Sequence, residues 1–298
     1  MNKNLFNLQL FAETNTTMAA DLEPAISVDF VSKLTSNITE LQNLLGVVNL
    51  TPMSSGSVVK IYKTVVGTIA DQVAEGETIG LTKVERKLAD TIELTLNKYR
   101  KNTTAEAILK SGRSIAVNET DSKMVSAIRK SVKDTFYAAL ATGTGAATGT
   151  TLQAGLAQGW GAVKKFYETQ DLDASPIYFI SSDDVATYLA SAQVTLQTAF
   201  GFDYIENFLG LGTAIVTPSL AAGTAYATAK ENLNGAYVPA NSGDIADTFG
   251  LTSDETGLVG MTHAIKTDNA SVDTLLFSGV TFYPEYTDGV IKISITGA

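Results

Sequence analysis

Two β-rich runs separated by a turn-rich segment constrain this chain most. Val58–Val66 ends at Gly67, and a second extended run goes from Leu81 to Lys101. In Thr91-Ile92-Glu93-Leu94-Thr95-Leu96-Asn97 the apolar residues hold the even positions and the polar ones the odd positions. A period of two sends successive side chains to opposite faces, so this stretch reads as a half-buried strand. Between the runs, Thr68–Gly80 carries Asp71, Glu75 and Glu77, with Gly76 and Gly80 placed for a long turn. The expectation is a long hairpin over 51–101 whose outer half carries Lys83, Glu85, Arg86 and Lys87. Such a ribbon cannot bury both faces within its own domain. It is either a solvated edge hairpin or an arm that docks onto another subunit, with alternating charge setting specificity.

Composition narrows the chemistry. The 298 residues include 21 Lys+Arg, 31 Asp+Glu, one His and no Cys. Charged residues make up 17%, against about 25% in a typical soluble domain, and the mean hydropathy is +0.11. Length alone suggests roughly two domains. Without Cys there is no disulfide, thiol catalysis, iron–sulfur cluster or Cys-ligated zinc. With His263 as the only imidazole, His-cluster metal sites are excluded. The net charge of −10 disfavours a sequence-independent nucleic-acid binder but suits a container whose wall must not grip its contents. Two stretches, Thr135–Val163 and Asn207–Ala229, lack charge, but Gly, Thr and Pro218 interrupt them, whereas a span needs ~20 predominantly apolar residues. The first twelve residues lack a clean apolar signal core. No membrane association and no export are expected.

Residues 1–50 read as a polar lead followed by a helix, with Leu34, Ile38, Leu41, Leu44 and Leu45 at helical spacing. That helix either packs at a domain edge or belongs to an arm on a neighbour. The clearest helix is Asn118–Leu140, striped by Met124, Ile128, Val132, Thr135, Phe136, Ala139 and Leu140. Asn118 or Thr120 is placed to cap it, Glu119 and Asp121 suit its positive end, and Gly143 and Gly145 end it. Lys123, Arg129, Lys130 and Lys133 fall mostly outside the stripe, as a solvated face or one side of a subunit contact. Thr142–Thr151 reads as a linker. Beyond it comes an α/β segment closing near 250: a helix over Leu152–Thr169, a strand at Pro176–Ile180, a helix capped by Ser181 or Ser182, strands at Thr213–Thr217 and Tyr226–Ala229, and a turn at Asn234-Gly235. From Leu258 onward the chain reads as β again.

No motif specifies catalysis. Gly143–Gly149 lacks the third Gly of a dinucleotide loop and the Gly-Lys-Ser/Thr of a phosphate loop. Asp171-x-Asp173-x-Ser175 begins like a calcium loop, but Pro176 holds the position that needs Gly. His263 reads as a packed or exposed histidine, Asp183-Asp184 as helix-start chemistry and Trp160 as a core anchor. No cofactor, no metal and no enzymatic activity are expected. A carboxylate-dependent hydrolase is the alternative from a different class, since carboxylate pairs are set in three dimensions.

Motifs spread along nearly the whole chain carry a resemblance. They are Asn7-Leu8-Gln9-Leu10-Phe11-Ala12, Val73-Ala74-Glu75-Gly76-Glu77, Lys83-Val84-Glu85 and Asn97-Lys98-Tyr99-Arg100-Lys101. Thr103-Thr104, Glu106-Ala107 and Ala141-Thr142-Gly143-Thr144-Gly145 follow. Late in the chain come Thr228-Ala229-Lys230-Glu231-Asn232 and Asp254-Glu255-Thr256-Gly257-Leu258-Val259-Gly260. In this order the chain resembles the major capsid proteins of tailed bacteriophages, which have the Hong-Kong-97-type fold.

The resemblance implies an α+β fold: an N-terminal arm at 1–50, an extended loop at 51–101, a peripheral domain at 102–143 with a long spine helix, an axial α/β domain at 144–250, and strands at 251–298 returning to the peripheral domain. It implies a structural subunit that self-assembles into hexamers and pentamers of an icosahedral shell. That shell encloses double-stranded DNA without sequence-specific binding, as a virion capsid assembled in the bacterial cytoplasm. Subunit contacts are expected at Ile69, Asp71, Glu75, Glu77, Ile79, Lys83, Glu85, Arg86 and Lys87 of the loop, and at Lys123, Arg129, Lys130 and Lys133 of the spine helix. Some members begin with a scaffolding domain; none is recognised here, so a separate scaffolding protein is expected, together with a portal. Some members crosslink through a loop Lys. Thr68–Gly80 has none, so non-covalent contacts or a decoration protein are expected instead. The alternative on the same fold is an encapsulin-like nanocompartment shell.

Overall fold

The computed structural model describes residues 16–17, 47–67, 81–191, 204–205, 210–240, 243–253 and 257–297. The helix expected around Leu34–Leu45 and the hairpin tip at 68–80 lie outside the described residues. In chain order the strands are β1 (Thr16–Thr17), β2 (Asn49–Pro52), β3 (Val58–Val66), β4 (Val84–Glu93) and β5 (Asn97–Thr104). Helix α1 (Ala105–Arg113) breaks at Gly112, whose φ of 78° is open to glycine, and a π-helical stretch, Ser114–Glu119, runs into α2 (Thr120–Ala141). Then come β6 (Gly145–Gly149), α3 (Leu152–Thr169), β7 (Pro176–Ser181), α4 (Ser182–Ser191), β8 (Tyr204–Ile205), β9 (Thr213–Thr217), β10 (Thr224–Ala229) and β11 (Leu233–Tyr237). The chain continues through α5 (Asp244–Phe249), β12 (Thr252–Ser253), β13 (Val259–Lys266), β14 (Ser271–Ser278), β15 (Val280–Pro284) and β16 (Ile291–Ile295).

Among the described residues these strands form four sheets. A five-stranded sheet has the order β1-β5-β14-β13-β12, and α2 lays Met124 and Ile128 against its Tyr99, Val259 and Leu276. A six-stranded mixed sheet has the order β6-β16-β10-β7-β9-β8. The strands β15-β11-β2 form a small sheet, and among the described residues β3 pairs only with β4. The C-terminal half of α2 joins the sheets: the Phe136 ring meets Phe179 of β7 at 5.3 Å and Phe282 of β15 at 5.4 Å, both edge-on. Each such aromatic pair adds about 0.5–1.5 kcal/mol beyond area burial.

Several expectations are corrected here. The run from Leu81 to Lys101 is two strands: Leu94–Leu96 leave the ladder, and β5 enters a different sheet. The alternating burial over 91–97 holds through the break, with Leu94 fully buried. Extended backbone keeps its two-residue period while changing partners, so periodicity could not show the corner. Gly56 N–H donates to the Leu94 carbonyl at 2.9 Å and Leu94 N–H to the Ser57 carbonyl at 3.0 Å, which clamps the base of the hairpin. The Thr142–Thr151 linker is largely the strand β6, parallel to β16. Its glycines answer close packing: a Cβ on Gly149 would stand 2.2 Å from the Gly155 backbone nitrogen. Asn234-Gly235 is not a turn but the middle of β11. Not all of 251–298 returns to the five-stranded sheet, because β15 joins β11 and β16 pairs with β10 and β6. Trp160 is 39% exposed and anchors no core.

Candidate subunit interface

Near its base the hairpin joins the body through the buried Leu94, which packs with Ala236 and Val238. Its ladder runs from Val58 opposite Glu93 to Val66 opposite Val84, with a bulge at Ala89 where the partner of Ile61 is Asp90 and that of Tyr62 is Leu88. One face therefore gathers Val58, Tyr62 and Val66 of β3 with Leu88 and Val84 of β4. All five are between 40% and 58% exposed. Fully burying a Val or Leu is worth about 1.5–3 kcal/mol, so this face leaves a large apolar gain unrealised in the isolated chain. An exposed ribbon of this kind marks an interaction surface.

Of the nearby charges on β4, Arg86 shares the face of the stripe, while Glu85 and Lys87 alternate onto the opposite face. The Arg86 guanidinium lies 4.2 Å from the centre of the Tyr62 ring. Glu85 pairs with Lys83 and, at 3.0 Å, with Lys87. The Lys83 and then the Lys87 contacts hold the Glu85 carboxyl below the usual range. Of the loop residues expected at the interface, Lys83, Glu85, Arg86 and Lys87 sit together on this hairpin. Ile69, Asp71, Glu75, Glu77 and Ile79 lie outside the described residues.

The four basic residues of the spine helix do not share a face. Lys123 and Lys130 are exposed, and Lys130 pairs with Asp134 at 2.8 Å. Arg129 and Lys133 are buried, at 6% and 4% exposure, and cannot meet another subunit from there. Helical geometry separates the pairs: 123 and 130 are seven residues apart, 129 and 133 four, and the two sets lie about 100° from each other. The buried arc also takes in Tyr137, while Thr135, placed in the stripe by spacing, is exposed. Charge sent Arg129 and Lys133 outward in the sequence reading; the width of the arc brings them in.

A buried cluster at the start of α2 was missed. Asp121, 2% exposed, pairs with Lys101 of β5 through one oxygen and with His263 Nε2 of β13 at 2.7 Å through the other. Lys101 also donates to Thr120 Oγ1 and, at 3.3 Å, to the Val117 carbonyl within the π-helical stretch. Asp121 therefore does not serve an exposed helix start, since the helix continues backward through that stretch. Breaking a buried pair from one side costs about 3–5 kcal/mol, so the cluster fixes how the helix sits on the sheet. On β14, Asp273 takes hydrogen bonds from Asn102 at 2.6 Å and Arg100 at 3.1 Å, and an ion pair from Lys266 at 3.2 Å. Burial alone would raise its pKa, but the contacts from Asn102, Lys266 and Arg100 outweigh burial and leave it below the usual value. Among the described residues no group of three or more His, Cys, Asp or Glu could hold a metal ion. No described helix is long and apolar enough to cross a membrane.

No protein-family model and no curated protein sequence matches the chain. Solved structures do. The capsid of an empty GTA particle covers 86% of this chain and 90% of its own, at 10% identity and a TM-score of 0.60. A chain of Mycobacterium phage Patience covers 97% and 95%, at 8% identity and 0.60. The holo-SrpI encapsulin complex of Synechococcus elongatus PCC 7942 covers 95% and 91%, at 8% identity and 0.53. The chain thus shares a mixed helix-and-sheet fold with these structures. More narrowly, it is the Hong-Kong-97-type fold.

Proposed function

We propose that this chain is the major capsid protein of a tailed double-stranded DNA bacteriophage, and that it assembles into the hexamers and pentamers of an icosahedral shell. The observation that carries this reading is the hairpin: an exposed apolar stripe with Arg86 on its face and Glu85 and Lys87 on the reverse, on a fold shared with capsid structures. Repeated head-to-tail docking of such a ribbon generates rings, and curvature closes them into a shell. Lys83, Glu85, Arg86 and Lys87 set which neighbour is accepted, and the tip residues Ile69, Asp71, Glu75, Glu77 and Ile79 extend the contact. On the spine helix, only Lys123 and Lys130 remain available for it. The arm (1–50), the extended loop (51–101) and the axial domain (144–250) are the units of this assembly. A separate scaffolding protein, a portal and a decoration protein are its further partners, and the host cytoplasm its place of assembly.

The net charge of −10 suits a wall that encloses DNA without binding it. A nanocompartment shell is the second reading, supported by the likeness to the encapsulin structure over 95% of this chain. Expression in a bacterium with and without candidate scaffolding protein, followed by sedimentation and analysis of particle contents, separates the readings. Closed particles that take up DNA when a portal is present fit the first. Particles filled with one enzyme fit the second, and a small discrete species under all conditions rejects both.

A further inference from the structure

The bulge at Ala89 stands over a groove between the hairpin and the body that encloses about 220 Å³. Ile61 and Ile92 of the hairpin, Ala139 of α2 and Phe282 of β15 supply its apolar lining. Asp90 from the hairpin and Glu285 from the body also line it, so the two carboxylates belong to different elements. Neither is ion-paired among the described residues. Among the described residues the Asp90 carboxylate accepts a hydrogen bond from the N–H of Thr91, at 2.7 Å.

A slot with apolar walls and two separate negative charges is complementary to one side chain in particular. A lysine lays a four-carbon stem on apolar surface and presents a compact cation at its end. An arginine fork is matched best by both oxygens of a single carboxylate. No lysine lines the groove. Ile61 alternates with Tyr62 along β3, so the groove lies on the ribbon face opposite the exposed stripe. A neighbour that grips the ribbon reaches both faces.

We propose that this groove receives a lysine side chain from a second copy of the chain, and that the bound ammonium, held between Asp90 and Glu285, clamps the hairpin against the body. The proposal rests on the shell-subunit reading above. It assigns the hinge of the hairpin, rather than only its outer face, to recognition of the neighbour.

The test uses full-length protein assembled from an equal mixture of ordinary and ¹⁵N-labelled subunits and treated with a water-soluble carbodiimide, which joins lysine amines to nearby carboxylates. The expected result is peptides bearing Asp90 or Glu285 joined to a lysine peptide of the opposite isotope, found in particles and lost in unassembled subunits. D90N/E285Q subunits, whose sites are exposed and should fold, are expected to need a several-fold higher concentration to assemble. Particles that carry only same-isotope links at these carboxylates, a scaffolding-protein lysine there, or no link at all would overturn the proposal while leaving the shell reading intact. If no particles form from unmodified protein under any condition, the shell reading fails and this proposal fails with it.

Discussion

The six-stranded sheet and the hairpin are built from similar apolar residues and use them in opposite ways. In β7, Phe179 and Ile180 are neighbours on opposite faces, and both are fully buried. Phe179 packs with Phe136 and Ile215 on the α2 side, and Ile180 with Leu156 and Ile293 on the α3 side. In the hairpin, the face bearing Tyr62 and Leu88 stays 40–58% exposed among the described residues. The first region is buried on both faces, and the second keeps one face open. This bears on the shortage of charge in the composition: among the described residues, Val58, Tyr62, Val66, Val84 and Leu88 gather exposed apolar surface into one stripe.

The largest effect that sharpens this contrast is expected from Phe136→Ala. It removes the ring that joins two sheets and should cost about 3–5 kcal/mol in chemical denaturation of unassembled subunits. A loss under 1 kcal/mol would mean that the joint is not central. Gly149→Ala comes next. The added methyl must displace the backbone of α3, so about 1–3 kcal/mol of destabilisation is expected by the same measurement.

Asp273→Asn should cost less, about 1 kcal/mol at neutral pH, because the Arg100 and Lys266 side chains facing it are part-exposed and screened. Its pH dependence has a definite sign. A carboxylate with a lowered folded pKa stabilises fully above its unfolded value of about 3.9 and loses that stabilisation as pH falls through the folded value. The deficit of Asp273→Asn should therefore stay level from pH 7 to about 5 and shrink on further acidification. A deficit that grew in acid would reverse the assignment.

The smallest effect on stability, under about 1 kcal/mol, is expected from Tyr62→Ser with Leu88→Ser, since both side chains are exposed, at 40% and 53%, in the isolated subunit. If that pair destabilised the unassembled subunit as much as Phe136→Ala, the contrast between the two regions would collapse.

Much of the fold was legible in the sequence for reasons these regions make plain. The span of β3, the span of α3 and the alternating burial around Leu94 follow from period and punctuation, which are local. The strand nature of β6 was hidden because Gly145-Ala146-Ala147-Thr148-Gly149 has linker composition; only the tight approach of α3 explains its glycines. The break between β4 and β5 was hidden because alternation survives a change of partner. The Lys101–Asp121–His263 cluster joins residues 20 and 142 positions apart, with no spacing to betray it. Arg129 and Lys133 were placed outside by charge, where an apolar arc wide enough to include Tyr137 would have brought them in. At the candidate interface, the charges of the hairpin were visible in sequence. The apolar stripe needed the register, because the bulge at Ala89 puts Leu88 and Val84 on the same face as Tyr62 and Val66.

The central claim is that the hairpin is the arm by which one subunit holds the next in a closed shell. The most direct measurement is electron cryomicroscopy of particles assembled from purified full-length protein, beside sedimentation of Y62S/L88S subunits under the same conditions. The account predicts closed shells in which the Tyr62–Leu88 face is buried against an adjacent subunit, and unassembled but folded Y62S/L88S protein. Shells in which that face points to solvent, or normal assembly of Y62S/L88S, would contradict it.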